Sequence, residues 1–135
     1  VPAAPLPAEV AALLARPNPA VMATLAADGR PVTVATWYLL EPDGTVLLNL
    51  DAGRARLAHL RRDPRVSLTA LDENWYTHVS VQGEVVSITD DIDLVDIDRL
   101  SRHYTDRPYP VRDRPRVSAR VRVDRWHGWG AVRQP

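Results

Sequence analysis

The 135-residue chain has no cysteine, no phenylalanine and no lysine, and only one methionine. Without cysteine there is no disulfide, no thiolate metal site and no cysteine nucleophile. No apolar run approaches membrane-spanning length, and the opening VPAAPLPAEV lacks the basic start and apolar stretch of a secretory signal. The expected place is therefore the cytoplasm, with no membrane partner. Charge of one sign is also missing. Seventeen basic and seventeen acidic residues cancel, so the basic excess of a nucleic-acid binder is absent and no nucleic-acid partner is expected. The length fits one domain, residues 1–135, with room for its own core.

Groups able to do hard chemistry are scarce. The four histidines (His59, His78, His103, His127) lie far apart, and none has a second ligand at helical or hairpin spacing. The acidic cluster Asp90, Asp91, Asp93, Asp96 and Asp98 lacks the glycine and glutamate of a calcium loop and reads as a solvated helix face. No metal site is expected. No serine sits in a nucleophile elbow, and there is neither a glycine-rich phosphate loop nor a dinucleotide fingerprint. No catalytic side chain stands out, so an enzyme built on this chain would rely on a cofactor for its reaction.

What is present is a succession of short apolar strands and turns. Pro7 to Arg16 predicts a short helix with Val10, Leu13 and Leu14 on one face, stopped by Pro17 and Pro19. Val21–Leu25 and Val32–Leu40 predict two strands joined by a hairpin turn at Asp28-Gly29. Along the second, Val32, Val34, Thr36 and Tyr38 alternate with Thr33, Ala35, Trp37 and Leu39. Thr45–Leu50, Val66–Leu71 and Tyr76–Ile88 predict further strands, the last interrupted by Gly83 where a bulge or a close backbone approach is expected. A helix follows from Thr89-Asp90-Asp91 to Thr105, striped by Leu94, Ile97, Leu100 and Tyr104. An arginine- and proline-rich loop, Asp106–Pro115, leads to a last strand, Val117–Trp126, with clean alternation. Six strands, several hairpins and no strand–helix alternation predict a mainly β (α+β) antiparallel barrel with short flanking helices.

One stretch carries chemistry. DAGRARLAHLRRDP, Asp51 to Pro64, leaves a strand through a small-residue turn and opens a helix whose first turn bears Arg54 and Arg56. Unpaired backbone N–H groups and the positive dipole end favour an anion there, and two guanidiniums add bidentate donors suited to phosphate. An ordinary amphipathic helix with solvated arginines, buried through Leu57 and Leu60, fits the same residues. The aromatics are equally two-sided. Trp75, Tyr76, Trp126 and Trp129 suit core lids or subunit contacts, and they also suit stacking on a planar ring.

Four stretches in order resemble the pyridoxamine-phosphate-oxidase-like flavin and deazaflavin proteins, whose fold is a split β-barrel. They are MATLAADGRPVTVATWYL, GRARLAHLRRDPRVSL, VSVQGEVVSITDDID and RHYTDRPYPVRDRPRVSARVRVDRWHGWG. The nearest branch is that of deazaflavin oxidoreductases using coenzyme F-420. The resemblance implies a single six-stranded split-barrel cofactor-binding domain. It implies a cofactor at the interface of a homodimer and hydride transfer from the reduced deazaflavin to a small conjugated organic acceptor. It places the phosphate on the strand-to-helix turn, here Arg54, Ala55 and Arg56, the last standing where the family usually has lysine. The ring would lie along Val32, Thr33, Val34, Ala35 and Thr36 and beside Asn49 and Leu50. Trp75, Tyr76 and His78 would close the pocket from the partner subunit. The same barrel also serves FMN-dependent oxidoreductases and non-catalytic flavin or deazaflavin carriers.

Overall fold

The computed structural model describes residues 2–133. Ten elements follow in chain order: α1 (Ala8–Leu14), β1 (Ala20–Leu25), β2 (Pro31–Thr36), β3 (Leu39–Leu40), β4 (Val46–Asp51), α2 (Ala55–Arg62), β5 (Arg65–Leu71), β6 (His78–Asp90), α3 (Val95–Thr105) and β7 (Arg116–Trp129). The strands form one antiparallel sheet ordered β2-β1-β5-β6-β7-β4-β3. It curls into an open, split barrel, and its two edges are joined in sequence by Trp37 and Tyr38.

The strand count is seven, one more than the sequence pattern predicts. Residues 32–40 were expected to form one strand because apolar residues continue throughout. The chain instead leaves β1 after Thr36 and rejoins the sheet against β4, with Leu39 opposite Leu47 and Leu40 opposite Val46. The break lets Trp37 and Tyr38 serve different cores. Tyr38 is fully buried in the barrel, and its hydroxyl donates to the carbonyl of Leu14 at 2.7 Å. Burial pushes that phenol up to about 12, against the lowering effect of the Asn18 hydrogen bond. Trp37 packs instead on a smaller cluster outside the barrel, where Leu47, Ile97 and Leu100 are buried.

The barrel interior is aliphatic, with Met22, Leu48, Leu50, Leu68, Val79, Val81, Ala119 and Val121 from facing strands. Helix α1 closes one end through Val10, Leu13 and Leu14, the three residues its periodicity selects. The bulge expected at Gly83 is present as a register shift between Gln82 and Gly83 against β7. A Cβ there would collide with the carbonyl oxygen of Arg122, which explains the glycine.

The acidic stretch differs most from its sequence reading. Strand β6 runs to Asp90, a single turn spans Ile92–Leu94 with Asp93 and Leu94 at φ of 57° and 59°, and α3 begins only at Val95. Asp90 and Asp93 are exposed as a solvated face requires, but Asp91, Asp96 and Asp98 are not. Asp91 is buried, and its carboxylate accepts the N–H groups of Asp96 and Ile97, both at 2.9 Å, capping α3 from outside. Asp96 accepts from Ser118, and Asp98 from Arg112 and the Tyr109 N–H. These bonds tie α3 to β7 and to the loop before it.

Candidate functional site

Helix α3 lies over β4 without reaching the free edge of β2, and a groove of about 610 Å³ remains between them. Ala35 and Thr36 of β2 and Trp37 after it line the groove with Ile97, Leu100 and Tyr104 of α3, and its polar lining is Asn49, Arg56, Tyr109 and Arg116. The walls are largely apolar and aromatic. Trp37 and Tyr104 stack with ring centres 5.2 Å apart, and the Tyr109 ring meets Trp37 edge-on at 6.3 Å. The Tyr104 hydroxyl donates to the Asn18 carbonyl at 2.8 Å, and its burial raises the phenol pKa strongly, so it stays neutral.

The polar lining is electropositive. Arg54 precedes α2 with an extended backbone, φ −75° and ψ 141°, and Arg56 is in the first turn. Arg56 is half-buried, and its one side-chain partner is the Met22 sulfur at 3.3 Å, a weak acceptor. Burial lowers its pKa, and the charges of Arg54 and Arg116 lower it further. Arg116, from the start of β7, is also half-buried. It donates from Nε to Asn49 Oδ1 at 2.7 Å, and its guanidinium lies 4.8 Å above the Tyr109 ring. Three arginines of the described residues are half-buried: Arg56, Arg116 and Arg120. Arg120 is paired with Glu41 and Asp96, whereas neither Arg56 nor Arg116 forms an ion pair with a carboxylate. Half-buried cations that lack an ion-pair partner carry a desolvation cost, and a bound anion would relieve it. The Asp51 carboxylate accepts the Gly53 N–H and pairs with Arg114 at 2.9 Å, and these, with the more distant charges of Arg116 and Arg54, hold its carboxyl below the usual range.

Of the residues expected from the sequence, Ala35, Thr36, Asn49 and Arg56 meet at this groove, with Arg54 beside Arg56. Ala55 is exposed at the helix start. Val32, Thr33 and Val34 belong to the same edge strand without lining the groove. Leu50 is fully buried in the barrel core and does not reach it. Trp75 and Tyr76, 68% and 54% exposed, form a separate aromatic patch with Trp129, and His78 lies beside His127. That patch does not line the groove of its own chain. Trp37, Tyr104, Tyr109 and Arg116 were not singled out by their sequence pattern. Tyr109 lies within the arginine- and proline-rich run Asp106–Pro115 that reads as loop, and Arg116 falls between that run and the expected last strand. The described residues bring no three histidine or acidic side chains together as a metal site. None of their helices is long and apolar enough to cross a membrane.

Comparison with known proteins bears on the same groove. A solved F420 reductase is 26% identical, with a TM-score of 0.81, over 90% of this chain and 98% of that one. A conserved hypothetical protein from Mycobacterium tuberculosis is 27% identical, with a TM-score of 0.72, over 94% and 86% of the two chains. General Stress Protein 26 from Bacillus anthracis shares the fold at 14% identity and a TM-score of 0.67, over 90% and 91%. No curated protein matches in sequence. The sequence pattern described as pyridoxamine 5'-phosphate oxidase matches residues 6–130. That match spans every strand of the barrel, both walls of the groove and all three arginines near it, and the chain belongs to the pyridoxamine 5'-phosphate oxidase family.

Proposed function

We propose that the protein is an oxidoreductase that binds coenzyme F-420 in the groove between α3 and the β2 edge, with FMN as the competing occupant. One observation carries the reading. Two of the three half-buried arginines among the described residues, Arg56 and Arg116, line an apolar, aromatic-walled groove, and neither forms an ion pair with a carboxylate of the described residues. A ligand that is planar at one end and phosphorylated at the other complements that division of polarity. The likeness to the F420 reductase at 26% identity supports the deazaflavin over the flavin.

The residues present fit such a group. Arg54, Arg56 and the first N–H groups of α2 would hold its phosphate. Ala35 and Thr36 offer a flat strand edge, and small side chains there let a ring approach the backbone. Trp37 and the neutral Tyr104 exclude water from the apolar wall, which strengthens hydrogen bonds made inside. The chemistry supplied by the group when bound is hydride transfer to a small conjugated organic acceptor. The chain contributes orientation and a dry wall, and no side chain is required as a nucleophile.

We also infer that the protein works as a cytoplasmic homodimer and that residues 1–135 form one cofactor-binding domain. Trp75, Tyr76 and His78 do not line the groove of their own chain, and the exposure of Trp75 and Tyr76 suits this patch to close the groove of a second copy. The test is absorbance of the purified protein after incubation with F-420 or FMN and exhaustive dialysis. Retention of the deazaflavin is expected. Retention of FMN with no uptake of F-420 would overturn the cofactor assignment, and uptake of neither would overturn the function.

A further inference from the structure

A chain of buried hydrogen bonds runs from the turn before α3 to the arginine of β7. The Asp91 carboxylate is buried, with no cation beside it. It accepts two backbone N–H groups of α3 and, through Oδ2, the Asn49 Nδ2 at 3.0 Å. The same Nδ2 donates to the Ser118 hydroxyl at 3.1 Å, and that hydroxyl donates to Asp96 at 2.7 Å. With both acceptors on its nitrogen side, the amide can point only its oxygen toward Arg116. That oxygen takes the Arg116 Nε–H at 2.7 Å. The Asn49 main-chain carbonyl and the Tyr109 hydroxyl lie farther off, at 3.4 and 3.5 Å from the two terminal nitrogens. The contacts to the guanidinium are therefore neutral, and they leave part of its donor fork free on the groove side.

From this we infer that Asp91 is a positioning residue. By fixing the Asn49 amide it aims Arg116 into the groove, where Arg116 joins Arg54 and Arg56 as a third guanidinium for a phosphate dianion. The inference rests on the function proposed above for the identity of the phosphate's owner, and it adds Asp91 and the Asn49 amide, whose roles that reading does not use. A third cation supplied by a strand, close to two supplied by a helix start, offers a tetrahedral anion more donors than the pair alone. The relay needs no proton movement. A buried carboxylate sets which way an amide faces, and the amide sets the plane of the guanidinium.

The test uses inorganic phosphate as the probe, so that it does not depend on which cofactor binds. Arginine Nε–H signals are followed by nuclear magnetic resonance in the full chain. Arg116 should give a resolved, slowly exchanging Nε–H that moves on phosphate addition. Asp91→Asn should merge that signal with those of the solvated arginines and weaken phosphate binding about fivefold. The same substitution in an Arg116→Ala background should change phosphate binding no further. Asn49→Leu leaves the capping of α3 in place and breaks only the relay, so it should reproduce the loss even if Asp91→Asn folds poorly. An Arg116 signal and phosphate affinity unchanged in both variants would overturn the inference. So would an equal loss with and without Arg116. Failure to bind F-420 or FMN, with the phosphate results as expected, would remove the proposed function and leave the relay standing.

Discussion

Replacing Arg56 by methionine should separate stability from binding. Arg56 is half-buried beside two further arginines, and its only side-chain acceptor is a thioether. In the ligand-free protein it contributes desolvation and repulsion with little in return beyond the guanidinium's contact with the Met22 sulfur, and it carries an apolar alkyl stem. Methionine keeps most of that stem and removes the charge. Solvent still reaches the side chain and screens the repulsion, so the gain is small, roughly 0.5–1 kcal/mol. For a chain of 135 residues that raises Tm by about 2–4 °C. Binding moves the other way. Loss of one charged hydrogen bond to a phosphate costs about 1.5–3 kcal/mol, which is roughly a tenfold to 150-fold weaker Kd. Differential scanning fluorimetry of the unloaded protein gives the first quantity, and calorimetric titration with F-420 and FMN the second. A phosphate-free analogue of each cofactor should bind both proteins alike. A variant that melts several degrees lower, with unchanged affinity for the phosphorylated ligands, would refute the reasoning. Arg56 would then be a structural residue, and the anion site would be elsewhere.

Other substitutions and conditions test the frame around the groove. Gly83→Ala should destabilise the fold by about 1–3 kcal/mol in urea unfolding, because the new methyl meets the Arg122 carbonyl across the bulge; a change within error would mean that the two strands can part there without cost. Tyr38→Phe should cost about 1–2 kcal/mol by leaving the Leu14 carbonyl and the Asn18 amide short of a partner, and a neutral result would show that water replaces the hydroxyl. In ultraviolet titration the Tyr38 phenol should remain protonated beyond pH 11, since burial raises it to about 12; an early tyrosinate transition for every tyrosine would contradict its burial. Acid should unfold the protein through its paired carboxylates. Arg65 holds Asp63 at about 2, and Arg112 holds Asp98 below its ordinary 3.8. Both are depressed in the folded state, so their stabilising effect is complete above the unfolded value of 3.8 and fades as pH falls toward 2. A melting temperature that falls instead between pH 7 and 5 and is flat below 4 would refute this account.

How much of this was legible in the sequence depends on the range of the interaction involved. The barrel strands are local patterns. Val10, Leu13 and Leu14, the alternation of β7 and the bulge at Gly83 are all fixed by spacing along the chain. The division of residues 32–40 into two strands is not, because Trp37 and Tyr38 look like two more steps of one alternation until the second core under α3 exists to receive Trp37. The acidic run misleads for the same reason. Five aspartates near a helix start have the composition of a solvated face, and only the folded chain shows that Asp91 faces Asn49 across 42 positions. The arginine-rich run before β7 is the sharpest case. Arg112, Arg114 and Arg116 are alternate residues of similar surroundings. Folding delivers Asp98 to the first, Asp51 to the second and a neutral asparagine to the third. An anion site is legible only after such long-range pairings have been subtracted, since what marks it is a half-buried cation that the fold has left without a carboxylate. Arg54 and Arg56 could be suspected earlier because a helix start beside them gives a local reason for an anion. Arg116 has no local reason at all, and the turn that aims it is read from the buried carboxylate at the far end of the relay.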